Sequence, residues 1–169
     1  MDGPADEVDD IVAAWRRERP DLDVTPLEVL SRVDRLADLL TASRRTVLDT
    51  MDLRRHEFDV LVALRREGEP YRLTAGELAS RTHVTSGTMT SRLDGLSERG
   101  LLRRVPDQRD GRLVRVELTK AGRDAVDRAF AALVEVERQL LAPLSEEQRT
   151  MLAEALRALL EPGTRRVAR

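Results

Sequence analysis

The stretch from Leu73 to Thr119 constrains this chain more than any other. It opens on Thr74-Ala75-Gly76-Glu77, a Thr-x-x-Glu capping box that starts a short helix through Leu78 and Ala79. His83-Val84 makes a turn, Thr85 or Ser86 caps a second helix running to Arg99, and Gly100 ends it. Leu101 to Val105 reads as a strand and Pro106-Asp107-Gln108-Arg109-Asp110-Gly111 as a turn. Arg112 to Leu118 reads as a second strand, with Val114, Val116 and Leu118 on one face and Leu113, Arg115 and Glu117 on the other. Two short helices joined by a tight turn, then a hairpin with a charged tip, follow the plan of a winged helix-turn-helix.

Helical patterns flank this block on both sides. Pro4 to Arg19 forms a short amphipathic helix with Val8, Ile11, Val12 and Trp15 on one face, stopped by Pro20-Asp21. Thr25-Pro26-Leu27-Glu28 reads as a capping box with proline at the first helical position. The helix that follows, to about Asp49, carries Leu27, Leu30, Val33, Ala37, Leu40 and Val47 at helical spacing. A third helix spans about Arg55 to Glu67 and is closed by Gly68. Beyond the hairpin, Thr119 caps a long helix to about Ala142, and Pro143 breaks it. Ser145-Glu146-Glu147-Gln148 opens the last helix, which Pro162-Gly163 stops. The fold class is therefore mainly α with a small β wing.

Charge is distributed unevenly. The net charge is −2, yet residues 1–30 hold nine acids and three bases, whereas residues 81–123 hold ten bases and five acids. A local field steers a polyanion, so the basic middle outweighs the total. With no cysteine, disulfides and thiolate metal sites are excluded. No apolar run approaches the roughly 18 residues that span a bilayer, and the acidic start has no apolar signal core, so a soluble cytoplasmic chain is expected, without a membrane.

The second helix of the pair begins with small polar residues, Thr85, Ser86, Thr88, Thr90 and Ser91, followed by Arg92. Such side chains fit between phosphates or against base edges. Arg109 and Arg112 at the hairpin tip suit a narrow minor groove. Aromatics make up only 2% of the chain, which disfavours single-strand recognition by base stacking and favours double-stranded DNA. A plainer reading of these residues is a solvated polar helix beside a charged hairpin.

The block resembles the MarR family of bacterial regulators. The resemblance runs through Leu73-Thr74, Glu77-Leu78-Ala79, Val84-Thr85, Thr88-Met89-Thr90, Arg92-Leu93, Leu96, Gly100-Leu101, Arg104, Asp107, Arg109-Asp110-Gly111-Arg112, Leu118-Thr119 and Gly122. Gly111 departs from it, since the family often has a second arginine there. The resemblance implies a homodimer built from N- and C-terminal helices, with Ser86 to Arg92 in a major groove and the wing in the adjacent minor groove. Two-fold symmetry then implies a pseudo-palindromic operator. The implied organisation is an added N-terminal helix at 1–24, dimerisation helices at 25–52 and 120–162, the DNA-binding domain at 53–119 and a flexible tail at 163–169. Repression is the family habit.

The added N-terminal helix is similar to that of the family's urate-responsive branch. By position, the resemblance implies an anion site of Trp15, Asp59, Arg92 and Arg104. Trp15 would stack on the ligand and Arg92 would offer a planar donor fork. Asp59 and Arg104 would pair in the free protein. Taken singly, Trp15 is equally a packing anchor, Asp59–Arg104 a structural pair and Arg92 a phosphate contact. The implied effector is a small organic anion such as urate, citrate or aconitate, or a phenolic compound.

Catalysis is not expected. His56-Glu57 begins a zincin-like pattern, but Val60 occupies the place of the second histidine, and no phosphate loop or nucleophile elbow follows. No metal or cofactor is implied. The alternative to a DNA reader is a helical dimeric adaptor without sequence-specific DNA binding, which would not need the basic wing.

Overall fold

The computed structural model describes residues 5–107 and 113–161. The chain divides into two compact units, Met1–Asp59 and Val60–Arg169.

In the first unit, helix α1 (Glu7–Glu18) packs on helix α2 (Thr25–Thr50). Asp6 caps α1: its carboxylate accepts from the Val8 and Asp9 N–H groups, and Asp9 accepts from the Asp6 N–H in return. Val8, Val12 and Val24 form a small core, with Leu27 against it. Fully burying a valine contributes about 1.5–3 kcal/mol, so these apolar contacts outweigh the exposed ion pairs around them, each worth about 0–1 kcal/mol. The ion pairs orient the helix instead. Arg32 donates to Asp6 at 2.8 Å and to Asp9 at 2.8 Å, while Arg16 reaches Glu28.

The capping box expected at Thr25 does not form. Thr25 is already helical, and Val24 before it offers no side-chain cap. The Asp23 carboxylate accepts from the Thr25 N–H (3.0 Å) and hydroxyl (2.7 Å), and Glu28 is drawn to Arg16. Of all α2, only Leu48 is buried. Val29, Leu30, Val33, Leu36 and Leu39 stay exposed.

The Arg32 clamp predicts an acid response. Hydrogen bonds from Arg32 hold Asp6 below its ordinary value. The Asp6 N–H, and then Arg32, do the same for Asp9. A lowered folded value contributes stability above the unfolded value of 3.8 and loses it as pH falls through the folded one. Below about pH 4, α1 is expected to loosen. Trp15, the single tryptophan, reports it as a fall in fluorescence anisotropy. An Arg32→Ala variant should show lower anisotropy at neutral pH and a smaller acid step, since the Asp6 N–H still holds Asp9. A parent signal flat from neutral to acid pH would contradict this.

The second unit is built on a three-stranded antiparallel sheet. Helix α3 (Arg55–Arg66), whose first residues lie in the first unit, is followed by β1 (Arg72–Thr74), α4 (Ala75–Thr82) and α5 (Ser86–Glu98). Strands β2 (Leu102–Pro106) and β3 (Val114–Leu118) form the hairpin, and α6 (Lys120–Leu140) and α7 (Glu146–Leu160) close the order. The strand order is β1-β3-β2. Strand β1 is absent from the sequence reading because three residues are too few to display a period of two. The core takes Val60, Leu61 and Leu64 of α3, Leu78 of α4, Met89, Leu93 and Leu96 of α5, and Val116 and Leu118 of β3.

Capping sets most helix starts in this unit. Thr74 and Glu77 form the expected box on α4, and Ser145 and Gln148 form that on α7. His83 closes α4 in the left-handed region (φ 54°), which turns the chain into α5. Thr119 caps α6, and its hydroxyl also donates to the Gly100 carbonyl at 2.7 Å.

The alternation expected in β3 holds only in part. Val116 and Leu118 are buried, but Val114 is 54% exposed because β1 does not extend that far. Glu117, on the opposite face, is also buried, 5% exposed. It is bracketed by its register partners, Arg72 on β1 and Arg103 on β2. Burial pushes its carboxyl up, but hydrogen bonds from Arg103 and Arg72 outweigh this and leave it below its ordinary value.

Candidate nucleic-acid interface

Helix α5 has two distinct faces. Met89, Leu93 and Leu96 are buried. Thr85, Ser86, Gly87, Thr88, Thr90 and Ser91 are all exposed. Thr85 caps the helix, and its hydroxyl lies 3.0 Å from that of Thr88. The Thr90 hydroxyl donates to the Ser86 carbonyl at 3.1 Å. These short side chains leave a low polar surface with spare hydrogen-bonding capacity, the form a groove can accept. Gly87 adds to it: a Cβ there would meet nothing within 4 Å, so packing within the chain does not require the glycine.

Arg92 is half-buried on α5. Arg104 stands on β2, which packs beside α5, and pairs with Asp94 of α5 at 2.5 Å. In the other unit, Trp15 is 49% exposed on α1. Asp59 pairs with Arg55, one turn earlier on α3, at 3.2 Å. Asp59 and Arg104 therefore each take a partner on or beside their own element. Arg109 and Arg112 lie outside the described residues.

Sequence reasoning passed over the charged ladder at the base of the hairpin. Arg103 is exposed on β2 and held by Glu117. Arg115 on β3 is held by Asp107 and faces Glu77. The signal was available: once the hairpin register is drawn, Arg103 falls opposite Glu117, and opposite charges facing across strands attract. Among the described residues, no group of His, Asp or Glu could hold a metal ion, and no helix is long and apolar enough to cross a membrane.

Helices α4 and α5, the turn at His83 between them, and the β2–β3 hairpin together make a winged helix-turn-helix. The sequence profile of the MarR family matches residues 51–113. The chain is 42% identical over 154 residues to the HTH-type transcriptional regulator PecS of Dickeya dadantii (strain 3937), covering 91% of this chain and 90% of that protein. The chain belongs to the MarR family of transcriptional regulators, and the match is consistent with a PecS-like branch of it; its relatives are named as regulators, not enzymes. Its fold is also that of a MarR family protein from Bacillus stearothermophilus (TM-score 0.71, 24% identity, 85% of this chain and 99% of that one). The fold is shared as well by the S. aureus MepR F27L mutant bound to an oligodeoxyribonucleotide (TM-score 0.59, 23% identity, 78% and 96% covered).

Proposed function

We propose that this chain is a homodimeric repressor that binds a pseudo-palindromic double-stranded operator and is released by a small organic anion. The observation that carries the DNA reading is the exposed polar face of α5, with Thr85, Ser86, Thr88, Thr90 and Ser91 outward over the buried Met89, Leu93 and Leu96. The surplus of bases in residues 81–123 supplies the matching local field. Arg109 and Arg112 extend the contact to the minor groove. Exposed apolar residues on α2, and separately on α6 and α7, support pairing with a second copy. Such a protein works in the cytoplasm.

The release mechanism rests on Trp15, Asp59, Arg92 and Arg104. Trp15 offers a half-exposed aromatic face, and Arg92, with no ion pair among the described residues, offers a donor fork for an oxyanion. A ligand shifts the protein only if it binds its two states differently. Arg92 on the DNA-reading helix supplies that difference, because a guanidinium turned toward the anion is withdrawn from DNA. The effector class is urate-like, a citrate- or aconitate-like carboxylate, or a phenolic compound.

The test begins with a duplex that the protein selects from a random-sequence pool. Selection of a two-fold symmetric site, with affinity falling steeply as salt rises, is expected. Failure to prefer any duplex would favour the adaptor reading. Adding urate, aconitate or a phenolic acid should then release the duplex and quench Trp15. The Arg92→Ala variant should need at least about tenfold more anion, a loss of roughly 1.4 kcal/mol. A variant released at the parent's anion concentration removes Arg92 from the anion site.

A further inference from the structure

Strand β1 supports β3 only as far as Arg115: the pairs are Arg72 with Glu117, Leu73 with Val116 and Thr74 with Arg115. Beyond Arg115 the hairpin is two-stranded, and its next pair is Val114 with Pro106, a residue that has no N–H to donate. A two-stranded ribbon is marginal by itself. Arg115 therefore stands at the fulcrum from which the wing projects.

The contacts of Arg115 suit that position. Its guanidinium donates through Nε to the Asp107 carboxylate, and Nη1 lies 3.7 Å from Glu77 Oε2. The Asp107 side chain is 7% exposed, and its N–H donates to the Leu113 carbonyl at 2.9 Å, the last described pair before the turn. The same Glu77 Oε2 accepts from the Thr74 N–H at 2.7 Å and the Thr74 hydroxyl at 2.9 Å. One carboxylate oxygen thus caps α4 and meets the arginine that grips the root of the wing.

We infer that Glu77 and Arg115 form a joint that fixes the pitch of the wing against α4, and through α4 against α5. Its consequence for binding rests on the DNA-reading function proposed above, but its geometry does not. A small rotation at Arg115 becomes a larger displacement at the tip, so Arg109 and Arg112 reach their groove while α5 occupies its own only if this pitch is held. Glu77 and Arg115 are positioning residues, acting on DNA through the wing and not by touching it.

The capping box makes the joint separable from the fold. Glutamine at the same position still accepts from the Thr74 N–H, so Glu77→Gln keeps the cap on α4 and removes only the charge facing Arg115. In the full chain, Glu77→Gln should speed hydrogen exchange of the Asp107 amide by about threefold, and Arg115→Gln, which also loses the Asp107 contact, by about tenfold, a local opening. The thermal midpoint of Glu77→Gln should stay within about 2 °C of the parent. On a duplex selected by the parent protein, Glu77→Gln should bind about threefold and Arg115→Gln about tenfold more weakly, and the double variant no worse than Arg115→Gln alone, as for two members of one contact. Parent-like exchange in Glu77→Gln overturns the joint, and so do fully additive binding losses. If the parent selects no duplex, the DNA-reading function fails, while the exchange experiment still decides whether the joint exists.

Discussion

The Gly122→Ala variant is expected to unfold about 6–12 °C below the parent, a loss of roughly 3 kcal/mol in a chain of this size. Gly122 is buried in the first turn of α6, where its N–H donates to the Thr119 hydroxyl at 3.0 Å. A Cβ at this position would lie 2.0 Å from the Leu101 carbonyl oxygen and 3.0 Å from its carbon. Backbone cannot rotate away as a side-chain tip can. The Leu101 carbonyl is also held by the Thr119 N–H at 3.1 Å. Relief therefore means moving the start of α6 off the start of β2. Gly95 supplies the control. It is also helical, but a Cβ there would meet nothing within 4 Å, so Gly95→Ala should hold or raise the midpoint by removing freedom from the unfolded chain. Equal midpoints for the Gly122→Ala variant and the parent would refute the close approach.

Gly122 also shows where the sequence was legible. A glycine three residues past a threonine cap is visible in the chain, and the family pattern includes it, but the carbonyl it must clear belongs to a residue about twenty positions earlier. Local chemistry was readable wherever it was self-contained. The boxes at Thr74 and Ser145 formed as expected, because each needs only residues three apart. The box at Thr25 failed because two rivals outside the motif competed for it, Asp23 for the threonine and Arg16 for the glutamate. Alternation places Glu117 on the face opposite Val116 and Leu118 but says nothing of the arginine on either neighbouring strand that buries it. The polar face of α5 was legible because the helical period separates it cleanly from Met89, Leu93 and Leu96.

Substituting Leu152→Glu and Leu159→Glu together should convert the proposed dimer to a 19.1-kDa monomer and weaken binding to its selected duplex by at least about a hundredfold. Helix α7 has no buried residue. Leu152 is 36% exposed and Leu159 48% exposed, one face of a helix with Leu156 between them. Glutamate forms helix about as well as leucine, so a lone protomer loses little by the exchange. A dimer loses much more: burying a leucine contributes about 1.5–3 kcal/mol, and an unpaired carboxylate in its place adds a desolvation cost. The loss of DNA binding follows from geometry. Two half-sites bound by one dimer make the second contact intramolecular, and this gain disappears when the copies separate, although α5 itself is untouched. The double variant should therefore keep weak, salt-sensitive binding to a duplex carrying a single half-site. Sedimentation at the parent's dimer mass would show that this face of α7 is not the contact between copies. A monomer that binds the full duplex as tightly as the parent would show that pairing of the two copies contributes nothing to recognition.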